Sequence, residues 1–158
     1  MLYCFLVIFM GVIVALDQYT KALVAAHIPV GQTVPALPGV FHLAHLHNTG
    51  AAFSMLEGGR WFFALIFAAG IVMVIVLIKK KVITAPFELW CLAAIFGGGA
   101  GNLVDRIRLA YVVDMFEVEF MNFAVFNVAD IFITCGAVAL FVYALFFDKK
   151  EKKHDPAA

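Results

Sequence analysis

The chain has 158 residues, 65% of them hydrophobic and 14% charged, against roughly 45–50% and 25% in an average soluble domain. That composition, with a mean hydropathy of +1.00, excludes an ordinary water-soluble fold and equally an intrinsically disordered chain, which is poor in apolar groups. Eleven Lys and Arg balance eleven Asp and Glu, so no clustered basic surface points to nucleic acid as a partner.

Four apolar runs follow in chain order, at about 2–26, 61–78, 86–103 and 131–147. Each approaches the roughly 20 residues that cross a bilayer core. Backbone amides in hydrocarbon must be satisfied within the segment, so each run predicts a transmembrane helix. A cleaved signal peptide is a competing reading of the first run, but no Lys or Arg precedes it, and an uncleaved helix is the simpler one. Asp17, Gln18 and Lys21 interrupt this first run. Asp17 and Lys21 are one turn apart on one helical face, where they neutralise each other as a structural polar pair.

Orientation follows from Lys79, Lys80 and Lys81 between the second and third runs and Lys149, Lys150, Lys152 and Lys153 after the fourth, which hold seven of the eleven cations. Basic loops are retained on the cytoplasmic side, so both termini are predicted to be cytoplasmic. Segments of about 27–60 and 104–130 then lie outside, on one integral-membrane domain spanning 1–158.

The first outer segment carries the helix breakers Pro29, Gly31, Pro35, Pro38 and Gly39, then partly alternates through Val40-Phe41-His42-Leu43-Ala44-His45-Leu46-His47. This predicts a small extracytoplasmic β-sheet on the membrane surface. Asn48-Thr49-Gly50-Ala51-Ala52-Phe53-Ser54 reads as a turn of small residues that admits close backbone approach, and Trp61 beside it suits the interfacial aromatic belt. His42, His45 and His47 suggest zinc, but strand spacing puts only His45 and His47 on one face and no His-Glu-x-x-His helix is present. They read instead as histidines of a wet strand face.

Gly97-Gly98-Gly99-Ala100-Gly101 lacks the Lys-Ser/Thr of a phosphate loop and lies in an apolar span, so it reads as a close helix-packing surface. Cys4, Cys91 and Cys135 are an odd number and all fall within spans. They give no disulfide framework, and no thiol-oxidase pair in the outer segments.

Ionisable groups at membrane depth cost about 2.5–3.5 kcal/mol each on insertion scales, and so call for a role. Asp105 has Arg106 beside it. Asp114 and Asp130 have no cation within four positions. Asp130 alone could be a helix cap. Two such acids bracketing one outer loop can instead converge and share a proton, since both cannot ionise at short range. Glu117 and Glu119 alternate with Val118 and Phe120, as on a solvated strand. A proton-coupled carrier is the rival reading of membrane acids, but no internal repeat is evident and both acids sit toward one surface.

Five motifs then stand in order: Asp17-Gln18-Tyr19-Thr20-Lys21, Asn48-Thr49-Gly50-Ala51-Ala52-Phe53-Ser54, Gly101-Asn102-Leu103-Val104-Asp105-Arg106, Val112-Val113-Asp114 and Phe126-Asn127-Val128-Ala129-Asp130. Over nearly its whole length the chain resembles lipoprotein signal peptidase (signal peptidase II), a family of four-helix membrane aspartic peptidases of bacteria. The resemblance implies that Asp114 and Asp130 are catalytic, that Asn48, Asn102, Arg106 and Asn127 support the substrate, and that Asp17 is structural. It implies prolipoprotein substrates cut before a diacylglyceryl-cysteine at the outer face of the bacterial inner membrane. It also implies contact with membrane lipid and cyclic peptide inhibitors such as globomycin, with no metal or cofactor. Ala110 and Met115 stand where the family leads one to expect glycine and phenylalanine, which bears on loop shape near Asp114.

Overall fold

The structure, a computed structural model, describes residues 1–50 and 60–147. Residues 51–54 of the small-residue turn and the tail lysines Lys149, Lys150, Lys152 and Lys153 lie outside the described residues. The elements run α1 (Leu2–His27), β1 (Thr33–Leu37), β2 (Phe41–Asn48), α2 (Arg60–Lys79), α3 (Pro86–Leu109), β3 (Val112–Val118) and α4 (Val128–Phe146). All four helices are long and apolar enough to cross a membrane. The outward-facing Leu, Val, Ile and Phe side chains that line them are what a lipid solvent demands.

Local chemistry sets the helix ends. Pro86 occupies the first turn of α3, and the Glu88 carboxylate accepts from the Thr84 and Ala85 amides at 3.0 and 2.9 Å, satisfying donors that a helix start leaves free. At α4, Asn127 Oδ1 accepts from the Asp130 amide and Asp130 Oδ2 from the Asn127 amide, a reciprocal cap.

α3 is the central helix, packed against α1, α2 and α4. Its glycines are the reason. A Cβ on Gly97 would lie 3.0 Å from Ile13 of α1, one on Gly99 3.0 Å from Phe67 of α2, and one on Gly98 2.8 Å from Ile133 of α4. Across the same seam, a Cβ on Gly136 of α4 would meet the Cys91 carbonyl at 2.8 Å. Where lipid tails are as apolar as leucine, such close approach supplies the van der Waals contact that holds helices together.

α1 enters the sheet, and α3 and α4 flank β3, so the three strands gather at one end of the bundle. The sheet is antiparallel in the order β1-β2-β3. Val24 of α1 and Ile28 just beyond its end pack on Val113 and Met115 of β3, with Leu43, Tyr111 and Phe116 around them. Met115 is thus a core residue, pointing away from its neighbour Asp114.

Three expectations need correction. α3 continues to Leu109, beyond the apolar run that ends near 103, because Asn102, Asp105 and Arg106 find partners inside the fold and need not leave the helix. α4 likewise starts at Val128, as soon as the Asn127 cap allows. On β2 the register shifts between Leu43 and Leu46, and this irregularity breaks the alternation. His45 is buried, donating through Nδ1 to the Ile28 carbonyl at 2.7 Å, and does not sit on a wet face.

α3 is closed by Ala110, the residue after its last turn, whose φ of +66° lies in the left-handed region. A Cβ there costs roughly 1–2 kcal/mol, part of which glycine would give back as unfolded-state entropy. Ala110→Gly is therefore expected to raise stability by about 0.5–1 kcal/mol, read as a higher melting temperature in detergent. A lowered one would show that the turn is not strained.

Candidate active site

Asp114 and Asp130 reach one site from different elements. β3 alternates, so Val113 and Met115 face the core while Asp114 faces the opposite side, and Asp130 sits in the first turn of α4. Both line one cavity of about 840 Å³, with Asn48 and His47 from β2, Asn102 and Arg106 from α3, Asn127, and Phe63, Ile66 and Phe67 of α2. Its walls are mostly apolar, and the polar groups converge around the two acids.

Amides hold the carboxylates. Asn48 Nδ2 donates to Asp114 Oδ2 at 2.9 Å and Asn127 Nδ2 to Asp114 Oδ1 at 2.7 Å. Asn102 Nδ2 donates to Asp130 Oδ1 at 2.7 Å. Asn127 joins the two acids directly, since its side chain serves Asp114 and caps Asp130. The cap reading of Asp130 and its place in the cavity therefore hold together.

Arg106 also lines the cavity. Its guanidinium lies 4.3 Å over the Phe63 ring, and its N–H groups donate to the Gly50 carbonyl at 2.8 Å and to the Asn102 carbonyl at 3.4 Å. Among the described residues, its buried Nε has no hydrogen-bond partner. It is a delocalised cation braced on an aromatic face at the edge of the site.

Beneath the pair lies an ion cluster. Lys21 is 2.8 Å from Asp17, as the one-turn spacing predicts, and 2.9 Å from Asp105. The partner of Asp105 is thus Lys21, not its neighbour Arg106, because consecutive helix positions point about 100° apart. Gln18 Nε2 adds a donor to Asp105 at 2.7 Å, and Asp17 Oδ1 accepts from the Ala129 amide at 3.0 Å. Gly101 makes room, since a Cβ there would lie 2.6 Å from Asp17 Oδ2.

Sequence reasoning missed that Lys21 also donates to Asn102 Oδ1 at 2.9 Å, and that Phe63 lies under Arg106. No local pattern marks contacts between helices so far apart in the chain; Gly101 beside Asn102 is the one small-residue hint. The histidines each have contacts of their own. His45 donates to Ile28, His47 stacks on Tyr111 at 3.7 Å and His42 faces Glu119 at 3.5 Å. Among the described residues no cluster of three or more His, Cys, Asp or Glu is arranged to hold a metal ion.

Residues 9–147 match the family model described as signal peptidase (SPase) II. The chain belongs to the signal peptidase II family. It is 40% identical over 143 residues to the lipoprotein signal peptidase of Enterococcus faecalis, covering 90% of this chain and 89% of that one. It is 43% identical over 134 residues to that of Streptococcus pyogenes serotype M2, covering 82% and 86%. A solved structure of a bacterial membrane enzyme superposes with a TM-score of 0.84 at 26% identity, over 97% of this chain and 94% of that one. A second reaches 0.79 at 27% identity over 90% and 93%. This signal peptidase II family member is therefore a peptidase and a multi-pass membrane protein.

In this peptidase, burial pushes the Asp114 carboxyl up from its ordinary value of 3.8 to about 6, against the lowering effect of the Asn48 and Asn127 hydrogen bonds. The folded state therefore holds this proton more tightly than the unfolded chain does. The stability this gives is complete below pH 3.8, falls away as pH rises to about 6 and stays lost above. Asp114→Asn removes the titration, so the variant is expected to gain on the parent between pH 4 and 7, by roughly 2–3 kcal/mol. Thermal unfolding at the two pH values checks it, and a difference that does not change with pH would contradict it.

Proposed function

We propose that this peptidase removes the signal peptide of bacterial prolipoproteins, cutting before a cysteine that already carries diacylglycerol, with Asp114 and Asp130 as its catalytic pair. The observation that carries this reading is the one cavity that both carboxylates line, with Asn127 donating to each, from its side-chain nitrogen to Asp114 and from its backbone N–H to Asp130. The names of the Enterococcus and Streptococcus relatives support the substrate class.

The chemistry follows from two acids holding one proton. The ionised carboxylate takes a proton from water as the oxygen attacks the scissile carbonyl, while the protonated partner donates to the carbonyl oxygen. Collapse of the tetrahedral species returns a proton to the departing amine. A coupled pair titrates as a unit and needs one charged and one neutral member, so cleavage follows a bell-shaped pH profile. Asn48, Asn102 and Asn127 hold the pair and the substrate backbone without adding charge. Arg106 stabilises carbonyl oxygen as charge develops on it. Water reaches the site from the sheet end of the bundle, and the apolar walls on α2 and α4 receive signal helix and acyl chains. Family inhibitors of the globomycin type would fill the same space.

The proposed orientation sets both termini in the cytoplasm and the site at the outer face of the bacterial inner membrane. Lys79, Lys80 and Lys81 support it, since α2 carries the chain from the sheet end to the opposite end, where these lysines stand.

Asp114→Asn and Asp130→Asn are each expected to lower cleavage of a lipidated precursor peptide at least about 10²-fold in purified, folded protein. Mass spectrometry should find the new N-terminus at the lipidated cysteine. Retained cleavage in either variant would remove the pair from the reaction. Strong chelation should leave the rate unchanged, as the histidines each have contacts of their own; loss of activity would reopen the metal reading.

A further inference from the structure

The reaction as written makes no use of the ion cluster beneath the two acids, yet one member reaches toward them. Lys21 is buried, with its ammonium 2.8 Å from Asp17, 2.9 Å from Asp105 and 2.9 Å from Asn102 Oδ1. An ammonium has three N–H donors and no acceptor, so these contacts use all it has. Asn102 must turn its oxygen toward Lys21. A carboxylate accepts, so the same amide must turn its nitrogen toward Asp130, which receives Asn102 Nδ2 at 2.7 Å. Reversing the amide would set N–H against ammonium and oxygen against carboxylate, two repulsions in place of two bonds.

The order propagates. Asn102 Oδ1 also accepts from Asn127 Nδ2 at 3.1 Å, and that nitrogen donates to Asp114 at 2.7 Å while Asn127 Oδ1 takes the Asp130 amide at 3.0 Å. Asn102 and Asn127, two of the three amides that hold the pair, are thus oriented from one cation that does not line the cavity.

We propose that Lys21 is a positioning residue: its ammonium fixes the direction of the Asn102 amide, and through Asn102 and Asn127 it sets the two carboxylates for the reaction. This rests on Asp114 and Asp130 being the reacting pair. With a neutral side chain at position 21, Asn102 could rotate and leave Asp130 without its donor, at a distance from the chemistry where small misplacements are costly. Among the described residues, the other charged or titratable groups around the pair are Arg106 and Asp105 on α3, Asp17 on α1 and His47 on β2. Lys21 is the buried cation among them that contacts an amide of the pair through its side chain, and its charge favours the ionised form of Asp114. Its loss moves the Asp114 titration to higher pH.

The test compares the parent with Lys21→Met, and with Lys21→Met/Asp105→Asn, which removes one charge of each sign and keeps a folded protein available where the single variant is too unstable. Steady-state cleavage of a lipidated precursor peptide is normalised to folded protein and followed across pH. The expected result is a kcat lower by about 10–100-fold, a KM within about threefold of the parent, and the pH profile of the pair displaced upward. A lower melting temperature with kcat per folded molecule and the pH profile unchanged would overturn the proposal, as would a raised KM with kcat intact. Asp114→Asn, run beside them, separates the two claims. If it is inactive while the Lys21 variants keep the parent kcat, only the positioning role fails; if it cleaves normally, the pair itself is wrong.

Discussion

A buried ammonium at membrane depth is the constraint on which this molecule is built. An isolated cation there costs several kcal/mol, and only good geometry with full hydrogen bonding offsets that cost. Lys21 meets the condition with Asp17 from its own helix and Asp105 from α3, and Asp17 in turn holds the Ala129 amide at the start of α4. One ionic cluster therefore fixes the axial register of three helices. Apolar packing alone would specify that register weakly, because lipid competes equally well for every leucine. Gly101, with no Cβ to fend off Asp17, lets the helices come close enough for the cluster to close.

The geometry of the candidate site is a consequence of that register. Once α1, α3 and α4 are fixed, Asn102 stands over Lys21 and the first turn of α4 presents Asp130 beside it. β3 leaves α3 through a single tight turn at Ala110, and its alternation sends Met115 into the core under Ile28 while Asp114 faces the cavity. Met115 therefore belongs to the core packing and not to the wall of the cavity, and Ala110 carries the backbone strain of the turn.

The sequence made the four spans, the packing role of the glycine stripe, the Asp17–Lys21 pair and the small sheet legible, because each rests on a local pattern: run length, small-residue clustering, helical spacing or alternation. Failures came where tertiary partners overrode a local rule. α3 outlasts its apolar run because Asp105 and Arg106 are satisfied by residues far along the chain. Asp105 reads as paired with the adjacent Arg106 only until helical geometry turns the two apart. The alternation of β2 fails at a register shift that no composition marks, and His45 goes inward there. The candidate acids were legible by a negative sign, apolar surroundings without a cation nearby. Their shared cavity required the fold.

The choice of amides around those acids has its own logic. A lysine or arginine bonded to each carboxylate would hold both ionised and abolish the neutral member that a proton-sharing pair requires. Asparagine supplies a donor and no net charge, so burial can still raise Asp114 to about 6 despite two hydrogen bonds that favour its charged form. The cations are displaced by one step: Arg106 spends an N–H on the Gly50 carbonyl and lies on Phe63, and Lys21 acts behind Asn102. Neutral amides thus separate the charges that hold the helices together from the proton that the proposed chemistry must move, within a few ångströms.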